Sequence, residues 1–380
     1  MKKLLLALLG LAAVAAAPPS PLPHWSIGEA QRLADWLDSA AEDGLAPVAA
    51  LAPVVRTAIG GRDAAELDRI ATSAAVRLLA AERTGCCHAS LRAGWHIPAD
   101  QPAATAEEVT TALARGELET LFAAARPSHP NYLALRRAYA GERDPATRAN
   151  LAANLDRWRW MPRQLGTRYL LVNAAAFEAT LWDRGKEVGR WEVIVGKTRS
   201  PTPVFAATIT GVTFNPWWEI PPSIAAESVA GLMRRRPAEA ARRGYVIQGG
   251  RYRQRPGAEN ALGRMKLVMR NPFNVYLHDT PTQGLFAKDV RAFSHGCVRV
   301  GDALGLATTL LSELPGWDKA RTEALVAGRK TVTITLAQPL PVYIAYFTAE
   351  PDGDGIRYFP DVYSRDKGQP APGDDETCPR

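Results

Sequence analysis

One thiol and two imidazoles stand close together late in the chain, in Tyr276-Leu277-His278-Asp279 and in Phe293-Ser294-His295-Gly296-Cys297-Val298-Arg299. Cys297 lies 19 positions after His278 and two after His295. The thiolate is the attacking species and a free cysteine titrates near ~8.5, so a catalytic cysteine needs a base or a positive field beside it. Two histidines are on hand to supply that. Gly296 permits a tight turn that can aim the N–H groups of Gly296 and Cys297 at one point, forming an oxyanion hole. The chemistry suggested is acyl transfer through a thioester. Arg299, always charged and fork-shaped, suits a substrate carboxylate, with a structural salt bridge as the plainer reading. Ser294 alone reads as a turn residue, and His295 alone as a structural hydrogen-bond partner.

These residues must be carried by strands. Asn274–His278 reads as a strand delivering His278, and Phe293–Val300 as one leading into a helix over 303–314; adjacency of the two would set His278 beside Cys297. Upstream, the period is two: Tyr169–Val172, Phe177–Trp182, Trp191–Val195 and Ala206–Val212 are rich in β-branched or aromatic residues and are separated by Gly, Asn or Asp turns. Thr331–Thr335, Val342–Thr348 and Ile356–Phe359 follow the same pattern, giving a mostly-β, sandwich-like domain. Between them, Asn215–Ser223 carries Trp217 and Trp218 among prolines, where fixed extended backbone presents flat apolar area. An insertion over about 224–262 then separates this segment from the strand of His278 and is placed to act as a lid, with helix over Glu227–Arg236 and irregular loop over Gly244–Gly257.

The first half differs in period. Ile27, Ala30, Leu33, Ala34 and Leu37 recur at helical spacing behind a Ser26/Glu29 capping box, and similar patterns return in Leu67–Ala81, Ala106–Leu113 and Tyr132–Tyr139. Arg148–Arg163 predicts a helix ending at Pro162. The fold class is therefore α+β: a helical domain over 24–145, a connecting helix over 146–165, a β-rich catalytic domain over 166–350 with its lid, a turn and strand over 351–367 and a disordered tail over 368–380.

Met1-Lys2-Lys3, the apolar run Leu4–Ala17 and the prolines after it make a secretory signal over 1–17, too short for a membrane span of about 20 residues. Export disfavours nucleic acid as a partner, although the formal charge is +7. Eight arginines fall between Arg234 and Arg255 against one acid, Glu239, which reads as a basic face toward an anionic substrate or as a solvated surface. Four cysteines are too few for a disulfide scaffold. Cys378 could pair with Cys86 or Cys87, and the plainer reading has Cys86 and Cys87 packed. Cys86-Cys87-His88 with His96 fits no standard zinc spacing, so no metal and no cofactor is expected.

His278, fifteen intervening residues, then Ser294-His295-Gly296-Cys297-Val298-Arg299 resembles the signature of the L,D-transpeptidase catalytic domain, also called the YkuD domain. Many members carry Asn where Arg299 stands, and arginine there is similar to the proteobacterial branch. Trp95-His96-Ile97-Pro98 and Pro127–Tyr132 resemble, more weakly, the N-terminal scaffold region of the longer periplasmic members. The resemblance implies Cys297 as nucleophile and His278 as base, its other ring nitrogen oriented by the Asp279 backbone carbonyl, with the Asp279 side chain as second choice. His295 would shape the site and stabilise the thiolate, and Gly296 would help form the oxyanion hole. Ser294, Arg299, Asp279, Trp217, Trp218 and Tyr276 would line the substrate cleft. The substrate implied is a peptidoglycan tetrapeptide stem in the periplasm or cell envelope, its acyl group passed to a second stem, giving a 3→3 cross-link, or to a wall-anchored lipoprotein. Three other readings share these residues: a cysteine hydrolase on the same stem, a zinc enzyme using His278, His295 and Cys297, and a non-catalytic wall-binding protein.

Overall fold

A computed structural model describes residues 24–86 and 92–366. The expected signal segment, Cys87, His88, Cys378 and the tail lie outside the described residues. The helical half starts as its sequence dictates. Ser26 caps Ile27–Ala40 reciprocally with Glu29, and the helix buries Ala30, Leu33, Ala34, Leu37 and Ala40. That face packs on Ala52–Gly60 and Ala64–Thr84, forming a core with Leu78, Val109 and Phe122. Burying one leucine in this way stabilises by roughly 1.5–3 kcal/mol. Asp63, Thr105 and Asp144 cap the following helices. The helix Pro130–Gly141, expected as the last of the helical domain, turns Tyr132, Leu135 and Tyr139 into the core of the β-rich half instead. The connecting helix runs Pro145–Arg159 and buries Leu151, Leu155 and Trp158 in that same core. Among the described residues no helix is long and apolar enough to cross a membrane.

The strands, in chain order, are β1 Trp95–His96, β2 Arg168–Asn173, β3 Glu178–Asp183, β4 Lys186–Gly196, β5 Val204–Phe214, β6 Trp218–Glu219, β7 Tyr245–Gln248, β8 Arg251–Gln254, β9 Met265–Met269, β10 Leu277–His278, β11 Ala292–Ser294, β12 Val298–Val300, β13 Val332–Ala345, β14 Ala349–Asp352 and β15 Gly355–Tyr358. The main sheet runs β5-β13-β2-β3-β4-β12-β10-β9, and β9 pairs again with β5, so the strands close into a circuit. This refines the sandwich-like expectation: alternation reveals one buried face per strand but not which edges meet. Thr331–Thr335 and Val342–Thr348, read separately, belong to the one strand β13, which bends at a register shift between Thr335 and Leu340. Strand β9 and the helix Lys319–Ala327 were not anticipated.

The insertion folds around its own small core of Ile220, Ala225, Val229, Ala240 and Tyr245. Its helical part, 222–242, includes a π turn at Ala225–Val229. The expected irregular loop over Gly244–Gly257 is instead the hairpin β7–β8, extended by β6 into a three-stranded sheet. Three arginines at alternate positions hide the apolar period there, while Gly249 and Gly250, both at positive φ, make the turn. Cys86 is disulfide-bonded rather than simply packed, and Cys297 is free.

Candidate active site

Strand β10 lies between β9 and β12. His278 stands opposite Lys266 on one side and opposite Arg299 on the other, so the three form a row across neighbouring strands. Side chains alternate along a strand. Leu277, Val298 and Val300 therefore enter the core, fully buried, while Tyr276, His278, Cys297 and Arg299 belong to the other face. Val298 N–H donates to the Tyr276 carbonyl at 3.0 Å, which fixes Cys297 beside Tyr276 and one step along from His278.

His278 Nδ1 lies 2.5 Å from the carbonyl oxygen of Asp279. That contact makes Nδ1 the protonated nitrogen and leaves Nε2 with a free lone pair. Burial pushes the imidazole down to about 4, with the Arg299 charge acting in the same direction, so at neutral pH the ring is uncharged and able to accept a proton. The Asp279 side chain is engaged elsewhere. Its Oδ2 accepts from Arg264 N at 2.8 Å and Arg264 Nε at 2.9 Å.

Cys297 sits after a tight turn. Ser294 is buried, and its Oγ donates to the Cys297 carbonyl at 2.6 Å while accepting from Gly296 N–H at 3.0 Å. Gly296 has φ of 115°, in the region that favours glycine. Because its N–H already bonds Ser294, Gly296 does not offer that group to an oxyanion, which corrects the paired oxyanion hole expected from sequence. The Cys297 N–H, with no hydrogen bond among the described residues, remains. The thiol is half-buried and 3.9 Å from the Asn274 carbonyl. Burial pushes its pKa up, opposed by the Tyr276 backbone and the charges of Arg299 and Lys266. At rest it is a thiol just ahead of the strand that pairs with that of the neutral His278, and attack requires that a base take its proton.

His295 is exposed. Its Nε2 lies 3.0 Å from Glu227 Oε2 and 2.9 Å from Lys197 Nζ, so it joins the inserted subdomain to the catalytic turn. Among the described residues no group of three or more His, Cys, Asp or Glu side chains is arranged to hold a metal ion. Trp218 packs against the subdomain core. Trp217 lies under the Arg253 guanidinium at 4.6 Å, which itself pairs with Glu219 at 2.6 Å. The half-buried Arg299 has no carboxylate within ion-pairing distance among the described residues, so a structural salt bridge does not account for it.

Two families match this chain. Residues 167–339 match the L,D-transpeptidase catalytic domain (YkuD) and residues 22–138 match the Scaffold domain. The chain joins a Scaffold domain to an L,D-transpeptidase catalytic domain. A relative from Haemophilus influenzae, provisionally named an L,D-transpeptidase, is 32% identical over 238 residues, 57% of this chain and 48% of that protein. The chain thus spans about half the length of that relative. Among solved structures, L,D-transpeptidase 3 from Mycobacterium tuberculosis with a faropenem-derived adduct aligns over 47% of this chain and 60% of its own, at 14% identity and a TM-score of 0.26. The Ldtfm-avibactam carbamoyl enzyme aligns over 48% and 50%, at 13% identity and the same TM-score. Likeness at this level carries no argument about the site.

Sequence reasoning missed several groups in this L,D-transpeptidase domain. Lys266 stands in the row with His278, its Nζ 4.7 Å from the centre of the Tyr276 ring, and burial lowers its pKa. The signal was present: Met265, Leu267 and Met269 alternate with it and are buried. Glu227 and Thr202 had no signal, because their partners lie in other elements.

Proposed function

We propose that the chain is a peptidoglycan L,D-transpeptidase that forms 3→3 cross-links. The observation that carries this reading is the neutral, carbonyl-oriented His278 beside a free thiol, flanked by two cations without carboxylate partners. His278 Nε2 takes the Cys297 proton as Sγ attacks the carbonyl between the diamino acid and the terminal D-alanine of a tetrapeptide stem. The C–S bond forms and the C–N bond breaks, with the proton passing to the leaving D-alanine amine. An amine of a second stem then attacks the thioester. The new C–N bond forms, sulfur leaves, and His278 carries the amine proton back to it. Arg299 suits a stem carboxylate. Trp217, Trp218 and Tyr276 would line the substrate cleft, and the arginine-rich inserted subdomain would meet an anionic substrate. A lipoprotein amine could replace the second stem. On this reading the protein acts in the cell envelope.

Incubation with tetrapeptide muropeptides tests the reading, with tripeptide-containing dimers as the expected product. Only monomeric tripeptide would make the protein a hydrolase, and no product at all would leave a wall-binding module. A carbapenem adduct of one molecule per chain is expected by intact mass, absent in Cys297→Ala.

A further inference from the structure

Gly296 and Cys297 share one peptide unit. In a trans peptide the carbonyl and the N–H point in opposite directions, so the group that holds Gly296 O also aims Cys297 N–H. Gly296 O accepts from Thr202 Oγ1 at 2.9 Å. Thr202 is wholly buried, and the same oxygen accepts from Gly196 N–H at 2.9 Å. A hydroxyl has one hydrogen to give. With an N–H already directed at its oxygen, that hydrogen goes to Gly296 O.

Thr202 is itself held. Its N–H donates to the Tyr363 hydroxyl at 3.2 Å, and that hydroxyl donates to Gly196 O at 2.6 Å, so Gly196, Thr202 and Tyr363 form a closed ring of hydrogen bonds. Tyr363 stacks on Tyr346, with ring centres 5.4 Å apart, and Tyr346 OH donates to Asp361 at 2.7 Å. Gly196 leaves no slack, because a Cβ there would lie 2.1 Å from the Ser200 carbonyl. A donor to Gly296 O also polarises the shared peptide and makes its N–H a better donor.

We infer that Thr202, braced by Tyr363, is the positioning residue that aims the Cys297 N–H at the oxyanion of the tetrahedral intermediate. The inference rests on the acyl-transfer reading above. It also gives Gly296 its reason: the carbonyl direction that Thr202 demands sets a backbone conformation that side chains resist.

The test compares two reactions of the same sulfur in wild type, Thr202→Val, Thr202→Ser and Tyr363→Phe. Acylation by a carbapenem passes through an oxyanion, whereas alkylation by iodoacetamide does not. Thr202→Val should slow acylation on the order of 10- to 100-fold, a fraction of what losing an oxyanion donor outright costs, and leave alkylation unchanged. With a tetrapeptide substrate kcat should fall and KM hold. Thr202→Ser should restore the rate, and Tyr363→Phe should slow acylation less. Wild-type acylation rates in both Thr202→Val and Tyr363→Phe would overturn the inference. So would a parallel loss of both reactions, which would mean a damaged thiol and not an undirected N–H. A wild-type protein that is alkylated but never acylated would overturn the acyl-transfer reading itself.

Discussion

Buried cations are treated in opposite ways in two regions of this molecule. Where the helical half meets the connecting helix, Arg159 is fully buried and bonds Asp156 at 2.6 Å, the Asp43 carbonyl at 2.7 Å and Tyr132 OH at 2.9 Å. Arg126 reaches Asp43 and Glu82, both at 3.0 Å, and Arg136 reaches Asp43 at 2.8 Å. In the catalytic row, Lys266 and Arg299 are half-buried with no carboxylate within ion-pairing distance among the described residues. Desolvation lowers the pKa of both. A charge matched by the chain fixes the position of a helix. On the proposed reading, the charges left unmatched beside Cys297 are a place for an anion from outside.

Removing a matched charge should give the largest effect. Arg159→Ala removes the buried cation that bonds Asp156, the Asp43 carbonyl and Tyr132 OH, and should cost about 3–5 kcal/mol in chemical denaturation, with acylation per folded molecule retained. A cost below about 1 kcal/mol would erase the contrast between the regions.

The next effect is a pH dependence. His278 titrates at about 4 in the fold against 6.5 for the free group. Between those values the unfolded chain binds more protons, so this contribution to stability is whole above pH 6.5 and disappears as pH falls toward 4. The shift corresponds to about 3 kcal/mol. Unfolding of wild type and His278→Gln across pH 4–7 measures it, and identical acid sensitivity in the two would remove His278 from the account.

The smallest effect should come from an unmatched charge. Lys266→Met should change stability by less than about 1 kcal/mol, because no carboxylate partner is lost and only the contact with the Tyr276 ring goes. It should raise KM for a tetrapeptide stem about tenfold, the worth of one hydrogen bond to a charged group. A drop in stability like that of Arg159→Ala would show that Lys266 is structural.

Legibility in the sequence followed the distance over which each feature is encoded. The Ser26/Glu29 capping box is complete within four residues and forms as read. The Ser294–Cys297 turn is equally local. His278 is found because its strand neighbours Cys297 in parallel register, which its spacing and residue types already suggest. Lys266 could not be ranked without knowing that β9 sets it opposite His278, and Thr202 lies 94 positions from the carbonyl it holds. The Glu227 contact of His295 was hidden for the same reason. Cys297 stands two positions on, but the His295 side chain answers to Glu227, 68 positions away.

The return of β9 to β5 has one more consequence. A ladder joined into a hoop cannot slip by a rung at one place without every neighbouring rung slipping too. The spacing of Lys266, His278 and Arg299 is therefore locked by strands on the far side of the hoop. Variation between relatives would have to come through turns and the inserted subdomain, whose length and course can drift while Lys266, His278 and Arg299 keep their separation.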